Sequence, residues 1–360
     1  MSALAPPLPR PPDAALVMRR KMRRFTAVSS MTLFAIIVVS AFLMPLAFMA
    51  VTSLKEKGQM STPGAPIYPA APDIFAYQGR EYPVYQVPTE DGIRAWALIE
   101  GHREDAIFVD PANEAAGPIT WEGRWRTLEQ SWRFSLTLDN FVAAWNRINF
   151  PRLFFNTFVI AGLSTVGAVV SAICVAYGFS RFRFRGRNGL FLLMLATIIL
   201  PFQVTLIPSY AVYLAFGWVG TWLPLIVPHF FANAYNVFLL RQYFLTIPRE
   251  LDEAAMIDGA GPLRILRSVI VPQAIPAIIA VTLFHFFWAW NDYFLPLVYL
   301  QSEPELQPLS VGLGSFTALY AGEPPVLQAA AIMAMALPVV VFFFAQRAFM
   351  RGVVFGGVEK

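Results

Sequence analysis

Long apolar runs separated by short polar stretches make up most of this chain, and they are too long for the interior of a soluble domain. Met31–Val51 carries no charge. Its length of about 21 residues, at 1.5 Å each, matches the roughly 30 Å hydrocarbon layer of a bilayer and exceeds the core of a signal peptide, the competing reading. Comparable runs cover Leu153–Ser180, Leu190–Phe216, Thr221–Tyr243, Ala274–Leu300 and Val326–Phe349, so the pattern predicts six spanning helices. In the second run Ser164, Ala168, Ala172, Ala176 and Ser180 recur at every fourth residue and form a narrow face on which another helix can pack closely. Pro201 and Pro208 interrupt the third run, Pro224 and Pro228 the fourth. Such breaks are tolerated where a cavity or a neighbour satisfies the released carbonyls, so they mark either a transport path or packing kinks. The fifth run holds His285, Trp288, Trp290, Asn291 and Asp292. An interfacial aromatic belt accounts for the tryptophans, whereas a carboxylate costs about 2.5–3.5 kcal/mol at a span centre. Asp292 is therefore functional if deep and merely hydrated if near the outer end.

Residues 54–151 are acidic, rich in Pro and Trp, and too polar for lipid. Tyr82–Val87, Ile93–Glu100 and Ala106–Asp110 read as strands, with Thr89-Glu90-Asp91-Gly92 as a turn, which predicts a small β-meander. Trp96, Trp121, Trp125 and Trp132 suit either a sugar-stacking platform or the core of so small a domain, and the core is the better fit. Ser135–Asn146 closes the segment with a short amphipathic helix, Thr137 or Asp139 acting as N-cap.

The fourth and fifth runs are separated by a polar, charged interruption that begins at Pro248. Pro248 suits a first helical turn, where no amide donor is needed, and Glu250, Asp252 and Glu253 place negative charge at the positive end of the helix dipole. The helix should end near Asp258. Gly259-Ala260-Gly261 then provides a turn with positive φ, and Pro262 opens a second helix carrying Arg264 and Arg267.

Charge orients this pattern. The chain is 57% hydrophobic and 14% charged, and its net charge of +4 marks topology rather than nucleic-acid binding. Six Lys and Arg in the N-terminal tail, four after the second run, four at the elbow (Arg241 just before it and Arg249, Arg264 and Arg267 within 248–276) and three at the C-terminus fall on one side. The two short loops on the other side have none, so both termini and the elbow are expected in the cytoplasm. Ten more lie in the long first loop, where they count little. A single cysteine, Cys174, excludes internal disulfides, and His102, His229 and His285 are too scattered to argue for a metal. No Gly-rich phosphate loop, HExxH or GxSxG occurs, so ATP hydrolysis is not expected in this chain.

Glu253-Ala254-Ala255, Asp258-Gly259-Ala260 and Ile270-Val271-Pro272 resemble the EAA loop of the membrane-spanning subunits of ABC-type importers. In that family a glycine follows four residues after the second alanine, and the loop is a coupling helix seated in a cleft of the cytoplasmic ATPase. The resemblance implies ATPase-coupling roles for Glu253, Ala254, Ala255, Asp258, Gly259, Ala260 and Gly261. It extends over most of residues 135–360 through Asn156-Thr157, Ala176-Tyr177, the arginines Arg181, Arg183, Arg185 and Arg187, Trp290-Asn291-Asp292, and Gln346-Arg347 with Arg351-Gly352. These motifs resemble the carbohydrate-uptake branch, specifically its maltose-transporter-like second permease subunit. The arginines by themselves need be no more than a basic anchor at the inner membrane surface.

The resemblance implies an all-α polytopic membrane protein of the type I ABC importer permease kind, with a small β-containing extracytoplasmic insertion, in a prokaryotic inner membrane. It also implies a second homologous permease, a dimeric ATPase that binds ATP and Mg, an extracytoplasmic sugar-binding protein, and no cofactor in this chain. Trp290, Asn291 and Asp292 are the candidate substrate-pathway residues. The chain departs from the family in its long first outer loop and at Leu266, where an aromatic is usual. It divides into a basic disordered tail (1–24), a first span (25–53), an extracytoplasmic loop domain (54–151) and a permease core (152–360) with its coupling loop at 244–273. Two alternatives stand beside this reading, a permease for a non-sugar solute and an ion-coupled secondary transporter. The second would need ionisable groups along the path, for which only Asp292 and two histidines qualify.

Overall fold

The computed structural model describes residues 14–319 and 322–354; the Pro-rich segment Met1–Pro12 lies outside the described residues. Helix α1 runs over Ala14–Ser53. The stretch from Ala14 to Arg24, expected to belong to a disordered tail, is therefore helical. Its Ala, Leu, Met, Arg and Lys residues are good helix formers with no Gly or Pro among them, so the apolar span propagates backwards through them. None of the apolar window of α1 is buried within this chain. Lipid or another protein must cover it.

Eight strands follow: β1 (Ala70–Pro72), β2 (Ile74–Tyr77), β3 (Arg80–Thr89), β4 (Gly92–Gly101), β5 (Asp105–Val109), β6 (Ile119–Glu122), β7 (Glu129–Gln130) and β8 (Trp132–Phe134). Strands β2 to β6 form an antiparallel meander in chain order, β7 adds beside β3, and β1 pairs with β8 as a separate clasp. The expected turn joins β3 to β4 with Thr89 opposite Gly92, and Thr89 Oγ1 donates to the Gly92 carbonyl at 2.7 Å. Val87, Trp96, Leu98, Ala106 and Phe108 are the buried core, with Trp121 and Trp125 packed against it. Three of the four tryptophans therefore serve the domain core, whereas Trp132 sits in the clasp. Helix α2 (Asp139–Arg147) closes the segment, and its first amide, that of Asp139, donates to Thr137 Oγ1. Buried Asn140 ties α2 to the end of α1 through the carbonyls of Ser53 and Lys55.

Helix α3 (Phe150–Arg181) is the axis of the bundle. Ser164, Ala168, Ala172, Ala176 and Ser180 are all completely buried. The absence of bulk along that face lets the following spans approach the α3 backbone. After it come α4 (Arg187–Ala196) and α5 (Phe202–Ala215), which meet at a 98° bend. Pro201 causes the bend, because its ring forbids continuation of the α4 helix. Helix α6 (Leu223–Ile226) continues as a 3₁₀ turn, Val227–Phe230, and then breaks; α7 (Ala234–Thr246) completes the fourth span. Next are α8 (Glu250–Ile257), α9 (Pro262–Ile265), a π-helical turn (Leu266–Ile270) and α10 (Val271–Trp290). The chain ends its described course with α11 (Phe294–Tyr299), α12 (Leu309–Leu319) and α13 (Pro324–Val354).

Among the described residues, five helical segments and the bent α4–α5 pair are long and apolar enough to cross a membrane, matching the six expected spans. The fifth span differs from expectation at both ends. It begins at Pro262 rather than Ala274, because α9 and α10 are continuous through the π turn, and it stops at Trp290 rather than Leu300. Leu266, the departure from the family pattern, is 8% exposed inside the core that joins α3, α7 and α10.

At the end of the bundle that carries the β domain, loops are fastened by charge and amides. Glu323 accepts ion pairs from Arg147 at 2.9 Å and Lys57 at 3.2 Å. Asn156 donates to the carbonyls of Glu305 and Gln307, and Thr157 Oγ1 accepts the first amide of α12, that of Leu309, at 2.7 Å. The Asn156-Thr157 pair is thus a clasp between α3 and a distant loop.

Candidate coupling loop and membrane path

At the opposite end of the bundle α8 lies against the end of α3 and the start of the fifth span. Its first turn carries Glu250, Asp252 and Glu253, as the dipole favours. Its last turn closes in a Schellman motif: the Ala260 amide donates to the Ala255 carbonyl at 2.9 Å and the Gly259 amide to Met256 at 3.0 Å. Gly259 occupies the left-handed position with φ +79°, and a Cβ there would meet nothing within 4 Å. Gly261 is extended and places Pro262 at the first position of α9. Glu253, Ala254, Asp258, Gly259 and Gly261 are exposed, while Ala255 and Ala260 turn partly into the core. Around them Met256, Ile257 and Leu263 are 59%, 88% and 80% exposed. That is an apolar surface on an otherwise polar elbow, of the kind that marks a protein contact.

Asp252 behaves differently from its acidic neighbours. Its Oδ2 lies 3.0 Å from Arg181 Nε, with the two side chains 9% and 6% exposed. Burial pushes the Asp252 carboxyl above the ordinary carboxylate range, while Arg181 and Arg249 pull it back down. Arg181 also donates to the Ile247 carbonyl at 3.0 Å. Arg241 and Arg249 reach the carbonyls of Phe179 and Ser180, two of the orphan acceptors at the end of α3. Tyr177 adds a hydrogen bond to the Pro262 carbonyl. The elbow is therefore bolted to the end of α3 by Asp252 and continuous with α10 through α9. Sequence reading assigns Arg181 to a basic membrane anchor and Asp252 to the helix dipole; neither spacing nor periodicity links residues so far apart.

The membrane-path candidates separate. Trp290 is 4% exposed and its indole donates to the Ala334 carbonyl at 3.3 Å, packed beside Phe154 and Phe286. It is packed in the core against α13, with its one polar hydrogen spent on a backbone carbonyl. Asn291 is exposed and donates back to the Phe287 carbonyl. Asp292 lies in the unwound link after α10, where Oδ1 accepts the Leu295 amide at 3.4 Å, and it lines a cavity with Thr157, Ser164, His229 and Trp288. At that level of α3 it sits toward the β-domain end rather than at the middle. The two histidines, far apart in sequence, pack edge to face at 4.9 Å between ring centres.

A bundle of apolar spans with broken helices around an internal cavity, carrying an exposed helical elbow bolted to two spans, defines a membrane-embedded transport component. The chain belongs to the family of inner-membrane components of binding-protein-dependent transport systems, whose model matches residues 164–354. It is 34% identical over 244 residues to the osmoprotective compounds uptake permease GgtD of Synechocystis sp., covering 67% of this chain and 80% of that one. It is 31% identical over 226 residues to the arabinooligosaccharides transport system permease AraQ of Halalkalibacterium halodurans, covering 62% and 80%. The crystal structure of a bacterial ABC transporter that imports the acidic polysaccharide alginate contains a chain of the same fold, with a TM-score of 0.65 at 20% identity over 92% of this chain and 98% of that one. The chain is thus a multi-pass inner-membrane permease subunit.

Proposed function

We propose that this chain forms half of the translocation path of an ATP-driven importer for a sugar or oligosaccharide and receives the ATP-driven motion through α8. The observation that carries the coupling role is the elbow itself: an exposed Glu253-Ala254-Ala255 helix, closed by Gly259 and bolted through Asp252 to Arg181. A dimeric cytoplasmic ATPase, which binds ATP and Mg, receives α8 in a cleft. Glu253 meets a basic residue there, Ala254 and Ala255 allow close approach, Asp258, Ala260 and Gly261 shape the rim, and Met256, Ile257 and Leu263 lose their exposed surface. A second, homologous permease completes the path, and an extracytoplasmic binding protein delivers the solute. Both termini and the elbow face the cytoplasm, in keeping with the distribution of Lys and Arg.

The mechanism follows from rigid attachment. When the ATPase subunits close, α8 moves as one body. Asp252 carries the displacement to the end of α3, and the continuous α9–α10 helix carries it to the fifth span. The path then switches between inward- and outward-facing states. The π turn at Leu266–Ile270 supplies a helical irregularity where the elbow enters that span. The carbohydrate assignment draws support from the similarity to AraQ. The test is reconstitution with the partner subunits. Gly259→Val or Ala255→Asp should leave the chain inserted and the ATPase active while uptake falls; normal uptake by both variants would overturn the coupling role.

A further inference from the structure

Beside the break in the fourth span, between α7 and α10, a pocket is lined by Asn233, Tyr235, Asn236, Phe284, His285 and Trp288. Five of these six side chains can form hydrogen bonds. Its depth is set by α3: His229, just before the break, receives Ser171 Oγ on its carbonyl, and Phe230 rests against Gly167. Both contacts lie near the middle of the 32-residue α3, at about the bilayer centre. Residues 231–233 have no helical backbone, and Asn233 Oδ1 takes the Tyr235 and Asn236 amides to start α7. Irregular backbone and amide side chains at this depth are tolerated only where they face protein or water, since each unsatisfied group in hydrocarbon costs several kcal/mol. The pocket therefore faces protein or a water-filled path rather than lipid.

His285 supplies the second observation. Its side chain is in the pocket wall, the residue is 5% exposed, and Nδ1 lies 3.2 Å from Asn236 Nδ2. Its Nε2 is buried with no hydrogen-bond partner among the described residues. With the Asn236 amide donating, Nδ1 is the acceptor and Nε2 carries the proton; with the amide turned, the roles reverse. Either way one ring nitrogen keeps an unused hydrogen-bonding capacity, which is costly for a group that serves packing alone. Trp288 stands 5.7 Å from the His285 ring, and Trp288 and Tyr235 are 51% and 49% exposed. A flat indole face next to two amides and an imidazole is the chemistry that receives a sugar ring, apolar on its C–H face and polar around its rim.

We propose that this pocket is a sugar subsite in the translocation path, with Trp288 stacking on the ring and Asn233, Asn236 and His285 taking its hydroxyls. It rests on the carbohydrate reading above, and it moves the solute contacts from Trp290 to the α7–α10 face. The test uses the complete transporter in liposomes with Cys174→Ser as the parent. Trp288→Cys and Tyr235→Cys are each treated with a positively charged methanethiosulfonate, and modification is read from the mass of this chain. Maltotriose and arabinotriose are the probes, and uptake of each by the parent is measured first. Modification of both cysteines, slowed about tenfold by a transported trisaccharide near saturation, is the expected result. Uptake of neither probe would sink the carbohydrate reading and this proposal with it. Uptake of a probe that leaves both modification rates unchanged, or cysteines that the reagent never reaches, would overturn the subsite alone. Trp288→Phe should keep most uptake and Trp288→Ala lose about tenfold at limiting sugar.

Discussion

The bolt between α8 and α3 makes the sharpest prediction. Asp252→Ala leaves the Arg181 guanidinium, with its side chain 6% exposed, without its ion-pair partner among the described residues. Breaking a buried pair from one side costs about 3–5 kcal/mol. The surviving bond from Arg181 to the Ile247 carbonyl at 3.0 Å places the variant toward the lower figure. Three kcal/mol corresponds to about a 150-fold change in an equilibrium constant. Amide hydrogen exchange across Glu250–Ile257 in the reconstituted complex should therefore accelerate by about two orders of magnitude, with α3 little changed. Arg181→Met should cost less, because Arg249 still attracts the stranded carboxylate. The double variant removes both charges and should be more protected than Asp252→Ala alone, giving a coupling energy of at least about 1 kcal/mol. Uptake should fall in Asp252→Ala while ATP hydrolysis continues. Exchange within threefold of the parent, or single effects that simply add in the double variant, would refute the bolt.

Three further outcomes follow from other contacts. At Gly259 the cost of substitution is conformational rather than steric, about 1–2 kcal/mol for an ordinary L-residue, so uptake should rank Gly above Asn, Asn above Ala and Ala above Val, as single-site variants measured in liposomes would show. Thr157→Val leaves the buried Leu309 amide without its acceptor and should cost about 1–3 kcal/mol; Thr157→Ser should restore thermal stability if the hydrogen bond is the cause. Hydrogen bonds from Arg147 and then Lys57 hold the Glu323 carboxyl below its ordinary value of 4.5. Its contribution is therefore present above that value and lost as pH falls through the lower folded one. The opening free energy of α2, from amide exchange corrected for its intrinsic pH dependence, should fall from about pH 6 to about pH 3 by no more than the roughly 1 kcal/mol typical of each exposed pair, and Glu323→Gln should abolish that fall.

The sequence by itself determined the elements that depend on local physics. Apolar run length determined the six spans, and strand alternation with the Thr89–Gly92 turn determined the centre of the meander. The four-residue recurrence of small residues determined which face of α3 is buried, since only that face admits a neighbouring backbone. The Gly259 turn was legible because the left-handed position selects glycine. What only the tertiary structure decided are pairings across distance. Asp252 with Arg181, Thr157 with Leu309 and Glu323 with Arg147 are hydrogen bonds or ion pairs between separate elements, and hydropathy carries no information about them. The same holds for the aromatic residues around the path. Trp288 and Trp290 are two positions apart on α10, about 200° around a helix. One faces the open pocket and the other the α13 core. Which of them meets a solute depends on where the neighbouring helices stand, and that is set by packing against α3.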